Sequence, residues 1–149
     1  MILLKRILIL EDNLLVLSKL LANLELLEQN QPYLLSLVIL TDYQQVEDYV
    51  NNNPKAHFDI ILLDRDCKLG ESFHNLNFER FGADKVISIS AVPEYNKEAK
   101  KRGVKKVVLK DLKYIDEFAK KAVKEMEQMI IPSRLHSLSN AIRSIINKK

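Results

Sequence analysis

The sequence predicts an α/β fold: a doubly wound, parallel five-stranded sheet with helices on both faces, followed by a C-terminal amphipathic helix. Two observations carry this reading. Short apolar runs alternate with helical segments five times, which is the pattern of successive βαβ crossovers. Four of those runs also stop abruptly at polar residues: Ile7–Leu10 at Glu11-Asp12, Ile60–Leu63 at Asp64, Val86–Ile89 at Ser90 and Val107–Leu109 at Lys110. All strand C-termini of a parallel sheet lie on one edge, so these endings converge on one crevice, where open α/β sheets bind their ligands. Three carboxylates, a hydroxyl and an ammonium suit a phosphoryl group and a divalent cation.

Taken in order, Lys5–Leu10 reads as the first strand, and Asn13 as the N-cap of a helix from Leu14 to about Glu28. Leu14, Leu17, Leu20, Leu21, Leu24 and Leu27 form its apolar stripe. Leu34–Leu40 has the composition of a fully buried strand, with Ser36 its one polar residue, and Thr41-Asp42 caps a short helix over about Gln44–Asn51. Asp59–Leu63 is the third strand, leading into a loop over Asp64–Ser72. Phe73, Leu76, Phe78 and Phe81 fit a short helix loosely, with Gly82 at its end. Val86–Ile89 is the fourth strand. Pro93 occupies the first position of a helix over Glu94–Arg102, and Gly103 follows it. Lys106–Leu109 is the fifth strand, and a helix over Leu112–Met129 buries Leu112, Ile115, Phe118, Ala119, Ala122 and Met126. Pro132-Ser133 breaks the chain before an amphipathic segment, Arg134–Asn147. The expected organisation is one domain over 1–131 and a helical extension over 132–149.

Composition narrows the function classes. A chain of 149 residues and 17.3 kDa can bury a single stable core without disulfides or metal staples. Its apolar runs fall far short of the ~20 residues of a membrane helix, so no membrane insertion is expected. A lone cysteine, Cys67, excludes an internal disulfide framework, and no leader of secretory type is legible; a cytoplasmic protein is the simplest expectation. His57, His74 and His136 lack the spacing of a metal site. The net charge of +3 conceals eight Lys/Arg against fourteen Asp/Glu over 1–96, and fifteen against six over 97–149. Solvated helix faces account for that split without a nucleic-acid partner.

In chain order, an acidic pair after strand one (Glu11-Asp12), an aspartate ending strand three (Asp64), a Ser-Ala pair ending strand four (Ser90-Ala91) and a lysine ending strand five (Lys110) resemble the receiver domain of two-component response regulators. The likeness covers about residues 5–130. It implies a flavodoxin-like sheet of order 2-1-3-4-5, with Asp64 as phospho-acceptor in a Mg²⁺-dependent reaction. Asp12 would be a direct metal ligand, Glu11 would contribute through water or a second coordination position, and the main-chain carbonyl of Asp66 would complete the set. Lys110 would pair first with Asp64 and later with a phosphoryl oxygen, and Ser90 would bond another. The implied partners are a histidine kinase or phosphotransfer protein upstream and a protein target downstream; the short segment after residue 131 leaves no room for a DNA-binding output domain. The apolar stripe of 134–147 suits a packed or dimer-forming helix, which keeps a homodimer open.

The chain also departs from the receiver pattern. Asp111 stands where the family carries proline after its lysine, so a trans bond is expected there. Lys68 replaces a loop proline, Gly70 comes early, and Val107 occupies the position of a switch aromatic. Two alternatives therefore stay open: a degenerate receiver acting by protein contact or dimerisation without phosphate, and a phosphohydrolase resembling the haloacid dehalogenase superfamily through Asp64-Arg65-Asp66.

Overall fold

The structure is a computed structural model that describes residues 3–30, 32–65 and 76–130. Five strands, β1 (Leu3–Leu10), β2 (Tyr33–Leu40), β3 (Ile60–Asp64), β4 (Val86–Ser90) and β5 (Lys106–Leu109), form one parallel sheet of order β2-β1-β3-β4-β5. Between and after them run helices α1 (Leu14–Gln29), α2 (Tyr43–Val46), α3 (Phe78–Phe81), α4 (Pro93–Lys101) and α5 (Ile115–Ile130). The order 2-1-3-4-5 is the expected one. The expected extension over 132–149 lies outside the described residues.

Local chemistry sets the helix ends. The Asn13 side chain accepts from the backbone N–H groups of Leu15 and Val16 at 3.0 and 3.1 Å, satisfying two orphan donors at the start of α1. Asp42 and Gln45 form a capping box at α2, with Gln45 Oε1 accepting from the Asp42 N–H at 3.2 Å. That helix continues as a wider π-type turn over Glu47–Asn51. Gly82 ends α3 at φ +87° and Gly103 follows α4 at φ +100°; both lie in the left-handed region where a Cβ is strained. The Leu112–Met129 helix begins instead as a 3₁₀ turn over Leu112–Tyr114.

Strand alternation divides the core into two layers. Ile7, Ile9, Ile60 and Leu62 meet α1 and α5 on one face, against Val16, Leu20, Leu24, Phe118, Ala122 and Met126. Leu8, Leu10, Ile61 and Leu63 meet α2, α3 and α4 on the other, against Val46, Phe81 and Ala99. Each fully buried aliphatic side chain contributes ~1.5–3 kcal/mol, so the central strands anchor the fold.

Three expectations need correction. Leu34–Leu40 is not a fully buried strand: β2 is the sheet edge, with Leu34, Val38 and Ile39 exposed. Its apolar composition is that of a central strand, and only the strand order reveals its position. Leu14, the first residue of α1, is 70% exposed, and the buried stripe of the helix starts at Val16 and Leu17. Leu112 is likewise exposed, since the 3₁₀ start turns it away from the α5 stripe.

Candidate functional site

The C-terminal ends of β1, β3 and β5 bring Glu11, Asp12, Asp64 and Lys110 into one buried group. Asp64 ends the central strand, where β1 and β4 flank it through the pairs Leu10↔Leu63 and Asp64↔Ile89. The Lys110 ammonium is 2.8 Å from Asp64 Oδ1 and 3.3 and 3.4 Å from the two Glu11 oxygens. It reaches back because the Lys110 N–H donates to the Ser90 carbonyl at 2.8 Å, holding the end of β5 against β4. Ligand oxygens of Glu11, Asp12 and Asp64 all lie within 4.8 Å of one another.

This arrangement is electrostatically costly by itself. Burial, reinforced by the Asp64 carboxylate, pushes the Glu11 carboxyl from its ordinary 4.5 up to about 8, although Lys110 and the Asn13 N–H at 3.0 Å act the other way. With all three carboxyls of this group ionised, the Lys110 ammonium leaves two negative charges, the number one divalent cation would neutralise. The donor set is all oxygen, as Mg²⁺ and Mn²⁺ prefer. The residues present therefore fit a hard divalent ion.

Ser90 is fully buried at the end of β4, beside this group. Its Oγ accepts from the Val92 N–H at 2.9 Å, closing the turn that starts α4. Asp66, expected to supply a carbonyl ligand, lies outside the described residues, as do Cys67, Lys68 and Gly70. Among the described residues there is no cis peptide bond, so Lys110–Asp111 is trans as expected. Asp111 takes a different job from the proline it replaces: its Oδ1 accepts from the Lys113 N–H at 3.0 Å and caps the 3₁₀ turn.

Two groups were invisible to motif reading. Arg65, 3% exposed, places its guanidinium 3.2 Å from Glu98 and over the Tyr95 ring at 5.3 Å. Asn96 accepts from the Ser88 hydroxyl at 2.9 Å and donates to the Val108 carbonyl at 3.2 Å. A polar residue on the inward side of α4 was the available signal for Asn96. For Arg65 the sequence held none, since an arginine beside two aspartates reads as surface.

No protein-family model and no curated protein matches the chain. Solved structures do. It is similar to the Mn²⁺-bound form of response regulator Rcp1, at 15% identity and TM-score 0.62 over 78% of this chain and 90% of that one. The phosphorylated cyanobacterial phytochrome response regulator RcpA matches at 16% identity and TM-score 0.58, over 83% and 91%. A response regulator receiver domain from Rhodospirillum rubrum matches at 14% and 0.56, over 79% and 93%. At such identities the likeness concerns the fold, and the fold of this chain is that of the response-regulator receiver domains.

Proposed function

We propose that the chain is a phospho-accepting signalling receiver, with Asp64 as the acceptor. The observation that carries this is the buried Asp64 carboxylate at the end of the central strand, held 2.8 Å from Lys110 and within 4.8 Å of ligand oxygens from Glu11 and Asp12. Glu11, Asp12 and Asp64 would hold Mg²⁺, with the Asp66 carbonyl a further ligand. When bound, the ion neutralises the carboxylates and offsets charge on the incoming phosphoryl group.

The chain's own residues supply the rest. Lys110 faces the Asp64 carboxylate at 2.8 Å; a carboxylate oxygen attacks phosphorus on a phosphohistidine donor, an O–P bond forms as the P–N bond breaks, and the imidazole leaves with the electron pair. The Lys110 ammonium then pairs with a phosphoryl oxygen, and the Ser90 hydroxyl donates to another. Donor and target are proteins: a histidine kinase or phosphotransfer protein upstream, and a partner that reads the phosphorylated form downstream. Among the described residues no helix is long and apolar enough to cross a membrane. The hydrolase reading has no observation in its favour, because Asp64 ends the third strand and the acidic pair comes from the first.

The test is incubation with acetyl phosphate and Mg²⁺, followed by intact-mass measurement. One phosphoryl group is expected per chain, lost on chelation of the metal before donor addition and in Asp64→Asn. Incorporation that persists in Asp64→Asn overturns the assignment, and absence of incorporation in the unaltered protein, with Mg²⁺ bound, favours the phosphate-independent binding module.

A further inference from the structure

We propose that Arg65 is a positioning residue that couples Asp64 to α4 through Glu98 and Tyr95; this rests on Asp64 being the acceptor. The first ground is where Arg65 stands. It follows Asp64 directly, and its N–H donates to the Ile89 carbonyl at 3.2 Å, so the backbone just after Asp64 is clamped to β4. Successive side chains on an extended strand point to opposite faces. Asp64 accordingly meets Glu11 and Lys110, while Arg65 lies against α4, the helix carrying Glu98 and Tyr95.

The second ground is the kind of contact made there. A guanidinium stays charged at every accessible pH, and the Arg65 side chain is 2% exposed against 49% for Glu98. A buried cation cannot be parted from its anion cheaply, whereas a half-exposed carboxylate can be rehydrated. A displacement of the Asp64–Arg65 backbone therefore pulls on the contacts that Arg65 makes with Glu98 and Tyr95.

The third ground is how little else holds α4. Only Asn96 and Ala99 of this nine-residue helix are buried. Among the described residues its polar attachments run to three strands: Arg65 after β3, Ser88 and Ser90 on β4, and the Val108 carbonyl on β5. Two of these ties end on Ser90 and on the neighbour of Asp64, so α4 is fastened at its start and along its body to residues at the edge of the Asp64 group. Val107, half-buried on β5, packs at the margin of this core layer and lines a groove of about 240 Å³ with Pro93, Asn96 and Leu109.

The experiment uses the ¹⁵N-labelled full chain with Mg²⁺ and beryllofluoride as the phosphoryl mimic, following amide shifts at Ser90 and Lys110 and along Tyr95–Lys101. In the unaltered protein both sets are expected to move. In Arg65→Gln the Ser90 and Lys110 amides still move, while the α4 shifts fall about twofold or more, the lower end of what removing one contact along a coupling route does. Arg65→Lys, which keeps a cation within reach of Glu98, restores part of the response. Should Arg65→Gln fail to fold, Glu98→Gln and Tyr95→Leu on the helix side give the same readout. Full α4 shifts in Arg65→Gln, or in both helix-side variants, overturn the coupling, as does an immobile α4 in the unaltered protein whose site amides move. Absence of any shift at Ser90 and Lys110 in the unaltered protein overturns the acceptor reading, and the coupling with it.

Discussion

The two helices that flank the end of the sheet near β5 are held in different ways. Helix α5 buries Phe118, Ala119, Ala122, Val123, Met126 and Ile130 against α1 and the sheet. Helix α4 buries one alanine and one asparagine, and depends on hydrogen bonds and an ion pair. Apolar packing is non-directional and tolerates small shifts, but it is lost only by exposing area to water. Polar ties are directional and can be exchanged for others of similar worth. The α1/α5 layer thus works as a frame that fixes Glu11, Asp12 and Lys110, and α4 is the element whose attachment a change at the site can alter.

The comparison can be broken most severely from the frame side. Truncation of Phe118 to alanine is expected to cost ~3–5 kcal/mol in urea unfolding, with the loss of a packed ring from the α5 layer. A cost below that of the α4 substitution described last would show that the two layers do not differ as argued.

Next comes the charge stored in the frame. The Glu11 carboxyl has its folded pKa raised to about 8 from 4.5, so between those values the unfolded chain has released a proton that the folded chain keeps. The unfolded state then binds fewer protons, and the stability of the metal-free protein falls as pH rises from 4.5 to about 8, levelling off above. A divalent cation held by Glu11 would have to displace that proton, so the affinity for Mg²⁺ is expected to rise across the same window. In Glu11→Gln the pH-dependent fall should flatten and Mg²⁺ should bind more weakly; thermal unfolding from pH 5 upward with and without the ion measures both. An unchanged fall with pH in Glu11→Gln would place the buried charge elsewhere.

The smallest effect is expected from Ser88→Ala. Loss of the hydroxyl donor leaves Asn96 Oδ1 buried beneath α4 at a cost of ~1–3 kcal/mol. Hydrogen exchange of the α4 amides should rise more than that of α5, which would sharpen the contrast between a packed helix and a tied one. Equal changes in both would count against it.

The site was legible to the extent that its residues mark strand ends. Glu11, Asp12, Asp64, Ser90 and Lys110 each follow an apolar run, and a parallel sheet places such endings on one edge whatever the details of packing. Four of the five meet in one buried group, with Ser90 at the adjoining strand end. What could not be read was which way side chains turn once the edge is built. Arg65 between two aspartates carries no apolar signal, yet strand alternation sends it beneath α4. In the same way Leu14 and Leu112 have helical spacing but fall on the first turns of their segments and are exposed.

The sequence by itself determined the number and kind of elements, because hydrophobic period, caps and breakers act over a few residues: Asn13, Asp42, Pro93 and Gly103 set helix ends from within their own segments. Only the tertiary structure decided neighbour relations. β2, with seven apolar residues in eight, became an exposed edge because strand order left it one partner. The Glu11 carboxyl came to hold its proton toward neutral pH because the fold buried it and two strands, β1 and β3, delivered acid to one dry place. Edge position, burial and electrostatic coupling depend on residues far apart in the chain, and no local pattern encodes them.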